Sequence, residues 1–252
     1  MPMHLTVLGS GTNLHPTRAA AGYLVETDHV FLLDFGPRTL SNLLRTGIDR
    51  HRIRYLLFTH YHADHFSDFI TFFFDAVCHS QFVAPRADLT IIGPPGTKRL
   101  FGTILRTFPS FSDAPFPVAF REITTRPWFL GQTKITPRPM VHTERQICLG
   151  YRIEYEGRTL AYSGDACLAP VLVQLCHQAH VAVLDCSFPQ DHPGVGHMHA
   201  GECGKVAKEA QVQRLILSHF YPIADRYDVA AQAGQVFSGT IDCARDLMRV
   251  TV

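Results

Sequence analysis

The sequence predicts an α/β protein built as a four-layer αββα sandwich from two duplicated halves, and three observations carry that prediction. Short apolar strands alternate with helical stretches along the chain. One hairpin unit occurs twice, as Gly22-Tyr23-Leu24-Val25-Glu26 through Asp34 and again as Gly150-Tyr151-Arg152-Ile153-Glu154, a turn at Glu156-Gly157, and Thr159-Leu160-Ala161-Tyr162 up to Asp165. No Ser/Gly tract, charge block or low-complexity segment divides the chain, so both halves are expected to share one core as a single domain over residues 1–252. Two copies describe a duplicated domain and not a solenoid.

Taken in order, Leu5 to Leu8 reads as a strand, and Gly22 to Glu26 and Val30 to Asp34 as two strands turned at Thr27-Asp28-His29. Thr39 to Arg45 is helical, and Ile53 to Phe58 is a short apolar strand. Phe66, Phe69, Ile70, Phe73 and Val77 then recur at helical spacing. Leu89 to Ile92 is a strand and Thr97 to Thr107 a helix. Phe108 to Pro117, with three prolines and three phenylalanines, is read as an ordered loop and a candidate lid. The second half follows with strands through Gly150 to Glu154 and Thr159 to Tyr162, helix Val171 to His177, strand Val181 to Leu184, helix Glu202 to Ala210 and strand Leu215 to Leu217.

Composition narrows the function. At 252 residues and 46% hydrophobic the chain can bury a substantial core. Its 23 Lys+Arg against 22 Asp+Glu leave a formal charge of +1, without the basic excess that gripping a long polynucleotide demands, so long nucleic acid is not an expected partner. The seven cysteines include no CxxC pair and are read as reduced thiols of a cytoplasmic protein. Met1 to Gly9 carries neither a basic stretch nor a long apolar one, and no apolar run approaches the roughly 18 residues of a membrane span, so neither secretion nor membrane spanning is expected. The fifteen histidines point to metal chemistry.

The decisive segment is Phe58-Thr59-His60-Tyr61-His62-Ala63-Asp64-His65, an HxHxDH arrangement between an apolar strand and a helix. Period-two alternation sends His60 and His62 to one side, and the turn into the helix swings Asp64 and His65 toward a neighbouring point, so one segment can serve two adjacent metals. Other strand ends supply further ligands: His142, Asp165 after Tyr162-Ser163-Gly164, and His219 after Leu215-Ile216-Leu217-Ser218. The inventory is His60, His62 and His142 for one metal, Asp64, His65 and His219 for the other, and Asp165 bridging. Cys167 is read as packing, and His4, His15, His29, His51, His79, His177, His180 and His192 as ordinary histidines outside the site. Phe66, Phe69, Phe72, Phe73 and Phe74 are read first as core and second as a pocket wall or a homodimer interface.

HxHxDH followed by a single histidine, an SGD aspartate and a final Ser-His resembles the signature of the metallo-β-lactamase fold over nearly the whole chain. Within that superfamily the chain is similar to the ribonuclease Z branch of phosphodiesterases. The points of likeness are Leu8-Gly9-Ser10-Gly11-Thr12 with Pro16 and Arg18, the SGD form of the aspartate, and Gly196-His197-Met198-His199-Ala200. The resemblance implies a transition-state histidine at His197 in preference to His199. It departs from that branch in having only 23 positions between His142 and Asp165 and 32 between Asp165 and His197, which leaves no room for a protruding tRNA-binding arm.

The resulting expectation is a dinuclear metal-dependent phosphodiesterase acting on a small or short nucleotide-like substrate. Zinc is the default metal, with manganese or iron also compatible with the donors. Asp64 orients or deprotonates water in addition to ligating, and His197 stabilises charge or protonates the leaving group. Ser10, Gly11 and Thr12 are expected to approach substrate phosphate through backbone N–H groups. Phe108 to Pro117 and Arg126-Pro127-Trp128-Phe129 are the candidate specificity elements. The competing readings are a thioester, lactone or lactam hydrolase of the same fold, a tRNA 3′-end endonuclease, and a binding protein without chemistry.

Overall fold

A computed structural model describes residues 2–252. Two seven-stranded sheets pack face to face. The strands are β1 (His4–Gly9), β2 (Gly22–Glu26), β3 (Val30–Phe35), β4 (Tyr55–Leu57), β5 (Leu89–Gly93), β6 (Val118–Glu122), β7 (Trp128–Leu130), β8 (Thr133–Met140), β9 (Cys148–Tyr155), β10 (Arg158–Tyr162), β11 (Val181–Asp185), β12 (Arg214–Ser218), β13 (Thr240–Cys243) and β14 (Arg249–Thr251). The helices are α1 (Thr39–Arg45), α2 (Ala63–Phe66), α3 (Asp68–Phe82), α4 (Thr97–Thr107), α5 (Pro109–Ser112), α6 (Pro170–Cys176), α7 (Ala200–Glu209) and α8 (Val229–Gly234).

The duplication read from two hairpins extends through both sheets. The first runs β14-β1-β2-β3-β4-β5-β6 and the second β7-β8-β9-β10-β11-β12-β13. In each, the first three pairings are antiparallel and the last three parallel. The C-terminal strand β14 returns to the first sheet, giving it the edge partner that β7 gives the second. Glu156 and Gly157 form the tight β9–β10 turn with φ of 47° and 74°, the left-handed pair that matches strand twist.

Period-two alternation sorts the side chains into layers. Tyr23, Val25, Phe31 and Leu33 face the gap between the sheets, where they join Ile135, Tyr151, Ile153 and Leu160 in one cluster. Leu24, Leu32, Leu56 and Ile91 point the other way and pack with Leu43, Phe69, Phe73 and Phe101 of the helices covering the first sheet. Helices α6, α7 and α8 cover the second. Two tyrosines at matching places in the repeat tie the sheets together: the Tyr23 hydroxyl lies 2.7 Å from Ser218 Oγ, and the Tyr151 hydroxyl donates to Phe58 O at 2.6 Å.

Two expectations are revised and a third is refined. Phe108 to Pro117 is not an open lid loop, because it contains α5, and its Phe111 and Phe116 are buried against Phe73. Trp128 is likewise committed to the core, on the edge strand β7, while Phe129 is exposed. In the phenylalanine cluster Phe69, Phe72 and Phe73 are core and Phe74 is half exposed. No described helix is long and apolar enough to cross a membrane.

Candidate metal centre

The parallel strands of each sheet end at the same edge, and the polar residues gather there. Asp34 lies in β3, His60 follows β4, Asp165 follows β10, Asp185 ends β11 and His219 follows β12. Asp34 and His219 both take left-handed backbone conformations, with φ of 52° and 64°, a cost that residues other than glycine bear where surrounding structure holds them. Gly36 lets the HxHxDH turn approach β3, since a Cβ there would lie 1.8 Å from Asp64 O. Gly164, with φ of 56°, sits against Thr59 and Leu149 O and brings Asp165 up to the histidines.

All seven sequence-predicted ligands converge. His60, His62, His142 and Asp165 form one group able to hold a metal, and Asp64, His65 and His219 form another. Asp165 lies between them: Oδ2 is 3.6 Å from His60 Nε2 and from His142 Nε2, while Oδ1 is 3.1 Å from His65 Nε2 and 3.3 Å from His219 Nε2. Its Oδ1 is buried without a hydrogen-bond partner. The site grades outward from buried His60, His65 and Asp165 to exposed His62.

The surroundings select the nitrogen that each ring presents. Thr59 Oγ1 gives its proton to Asp34 at 2.8 Å, so it can only accept from His60 Nδ1 at 2.9 Å. Ser187 Oγ donates to Asp185 at 2.6 Å and accepts from His219 Nδ1 at 3.0 Å. His142 Nδ1 donates to Gly196 O at 2.6 Å, and His65 Nδ1 to Asp34 at 2.8 Å. Four rings are thereby left with Nε2 lone pairs facing one another and Asp165, and His62 adds Nδ1, 2.9 Å from His60 Nε2 and 3.3 Å from His142 Nε2. Outer partners that fix histidine orientation in this way are characteristic of metal sites.

Electrostatics show a cluster short of positive charge, which protons on His65 and His219 or bound cations would supply. Burial pushes His60 well below 6.5, reinforced by His65, and keeps its ring neutral as a ligand must be. For His219 burial works in the same direction, but Asp165, Asp185 and Asp64 outweigh it and raise the pKa to about 10. Asp34, Asp165 and Asp185 are buried carboxylates, so the cluster demands positive charge. The donor set of imidazole nitrogens and carboxylate oxygens therefore suits a pair of divalent ions.

His197 joins the cluster and His199 does not. His197 Nδ1 donates to Asp185 Oδ2 at 2.8 Å, and its ring lies 4.9 Å from that of His142 and 5.4 Å from that of His219. His199 instead stands at the start of α7, its amide donating to Glu202. Asp34 and Asp185, which the sequence reading did not single out, orient rings of the cluster: Asp34 holds His65 and Asp185 holds His197. For Asp34 the signal was an acid at the close of the first hairpin, as Asp165 follows the close of the second; for Asp185 it was an acid ending an apolar strand.

Ser10, Gly11 and Thr12 require a correction. Their amides donate to Asp246, Ala19 O and Thr12's neighbour across the sheets, Phe220 O, so none is free for a phosphate. The segment braces the chain next to His219, because Phe220 N in turn donates to Ser10 O. Asp246 anchors it further by accepting from Ser10 Oγ, Ala19 N and Asn42 Nδ2.

Comparison with known proteins agrees with this geometry. Residues 29–220 match the model of the beta-lactamase superfamily domain. The chain is 31% identical over 247 positions to the uncharacterized protein Rv1339 of Mycobacterium tuberculosis, covering 95% of this chain and 88% of that one. It is 28% identical to ribonuclease Z of Mycobacterium marinum over 276 positions, 99% of each chain. Because that alignment exceeds the 252 residues here, at least 24 of its positions have no counterpart in this chain. Among solved structures, the metallo-beta-lactamase fold protein YhfI of Bacillus subtilis superposes with a TM-score of 0.87 at 25% identity, over 100% of both chains.

Proposed function

Because this chain belongs to the metallo-β-lactamase superfamily and is a metal-dependent hydrolase, we propose that it cleaves small or short nucleotide-like phosphodiesters with two bound divalent ions, zinc first among them. The observation that carries this reading is Asp165, whose two oxygens face separate histidine sets beside His197. His60, His62 and His142 would hold one ion and Asp64, His65 and His219 the other, with Asp165 shared. Two such ions supply Lewis acidity and an activated water near neutral pH.

The remaining chemistry belongs to the chain. Asp64, a partly exposed carboxylate 3.7 Å from His219 Nε2, orients the attacking water and accepts its proton. With Nδ1 engaged by Asp185, His197 has Nε2 left to donate to the developing charge or the leaving oxygen. The buried Asp185 keeps that ring in one orientation, as the carboxylate of a triad does.

A small substrate is favoured by what fills the spacers. The chain between His142 and Asp165 is taken up by the β9–β10 hairpin, and that between Asp165 and His197 by α6, β11 and a short loop. Neither leaves a segment to project as an arm, and the charge of +1 fits a short ligand better than a tRNA. The test is metal content per chain measured beside hydrolysis of bis(p-nitrophenyl) phosphate. About two metals with chelator-sensitive turnover is the expected result. A metal-loaded protein inert toward phosphodiesters but active on thioesters or lactones would transfer the site to carbonyl chemistry.

A further inference from the structure

A groove of about 580 Å³ opens beside the metal centre, starting at Tyr61, the residue between His60 and His62. One wall is the start of α4, with Arg99 and Leu100, and the other is the loop after His142, with Arg145, Gln146 and Ile147. Gln146 fastens the walls to the centre, its Oε1 accepting from the Tyr61 amide at 3.0 Å. The Tyr61 hydroxyl is held by Pro94 O and Thr97, so its ring is fixed in the groove. The volume lies within the roughly 300–1,000 Å³ of small-molecule sites.

The charge in this groove is unbalanced. Arg99 and Arg145 are exposed, and among the described residues neither guanidinium has a carboxylate partner. Six arginines elsewhere, Arg18, Arg50, Arg54, Arg152, Arg214 and Arg249, sit against an acid; the two in this groove are left available to a ligand. Glu122 of β6, against the start of α4, is already occupied by the amides of Gly96 and Lys98. Two free guanidinium groups over a surface of Tyr61, Leu100 and Ile147 match an anion attached to a flat, weakly polar body. Arginine in particular suits phosphate, through paired N–H donors, and stacks on planar rings.

We infer that this groove binds the non-reacting arm of the substrate, and that this arm carries a second phosphate: the substrate is a phosphodiester bearing a terminal phosphate, held by Arg99 and Arg145. This assignment rests on the phosphodiesterase reading of the adjacent metal centre and adds the substrate class to it. A substrate of this class would meet the chain at two places, the metal centre beside His197 for the reacting diester and the groove between α4 and the loop after His142 for the spectator phosphate.

The test compares the metal-loaded wild type with the double variant Arg99→Ala/Arg145→Ala, two exposed positions, with matched thermal unfolding as the folding control. Calorimetry measures binding of adenosine 5′-monophosphate and of adenosine, and steady-state kinetics compares the dinucleotide ApA with its 5′-phosphorylated form. In wild type the phosphate is expected to improve binding and kcat/KM by about tenfold or more, chiefly through KM, and in the double variant by less than about threefold. A phosphate preference that is absent in wild type, or that survives in the double variant because the metal centre supplies it, overturns the groove assignment. The two readings fail separately. Arginine-dependent nucleotide binding without turnover of any phosphodiester would remove the phosphodiesterase reading and leave the groove standing; turnover of bis(p-nitrophenyl) phosphate with arginine-independent binding would do the reverse.

Discussion

His65 and Asp34 meet at 2.8 Å, Nδ1 to Oδ2, with neither side chain exposed to solvent. Asp34 belongs to the first hairpin and His65 to the HxHxDH turn, so the contact locks the ligand-bearing turn onto the sheet. The same carboxylate accepts from Thr59 N, Thr59 Oγ1 and the Tyr162 hydroxyl, which ties both halves of the molecule to one residue. Replacing Asp34 with Asn puts an amide donor where four donors already point. Metal affinity is expected to fall about 10- to 100-fold, the usual effect of losing an outer-shell partner. Competition against a chromophoric chelator measures it, and unchanged affinity would show that Asp34 serves folding alone.

His62 and His65 are expected to separate metal binding from stability. His62 is exposed, so His62→Ala should remove a ligand while shifting the stability of the metal-free protein by no more than about 0.5 kcal/mol. His65 is buried, and its truncation deprives Asp34 of a donor at a cost of about 1–3 kcal/mol. Urea unfolding of both variants in chelator gives the comparison. Equal destabilisation would mean that the rings play equivalent structural roles.

Metal is expected to stabilise the wild type as a bound ligand does, by about 2.7 kcal/mol at a free concentration 100 times Kd. Chelation should lower Tm accordingly and abolish hydrolysis together. A Tm indifferent to zinc, manganese and iron alike would mean that the converging lone pairs do not hold an ion.

His197→Ala is expected to lower phosphodiester turnover by about 10²- to 10⁴-fold, the range typical of a lost general acid or base. Metal content should stay near that of wild type, because the seven ligands lie elsewhere. His199→Ala is the matched control, being outside the cluster at the start of α7. Turnover unaffected by His197→Ala would leave the leaving group without this proton donor.

Gly36→Ala tests the close approach of the HxHxDH turn. The added methyl would meet backbone atoms of Asp64 at 1.8 and 2.7 Å, which cannot rotate away. The turn must move, at a cost of about 1–3 kcal/mol as for other overpacked sites, with weaker metal binding as the companion effect. A variant with native Tm and native metal affinity would show that the turn tolerates displacement.

Much of this was legible in the chain. Helices Thr39–Arg45 and Thr97–Thr107 and strand Gly22–Glu26 fall where apolar periodicity and turn residues put them. The seven candidate ligands that converge were legible because side chains of metal-binding type recur at strand ends, a local pattern. Strands β6, β7, β13 and β14 were missed, being short segments of mixed polarity at or near sheet edges, where one side needs no apolar partner.

The amino-acid sequence by itself determined the duplicated α/β sandwich, the hairpin repeat and the seven candidate ligands that the fold brings together, since each is written in periodicity and residue type over a few neighbours. Only the tertiary structure decided that Asp34 and Asp185 orient the rings, that His197 and not His199 enters the cluster, and that the amides of Ser10 to Thr12 are spent on the chain itself. It also placed Arg99 and Arg145, 46 positions apart in the chain, on the walls of one groove. The physical reason is that hydrogen-bond partners and unpaired charges are properties of neighbours in space, and those neighbours come from different strands and opposite sheets.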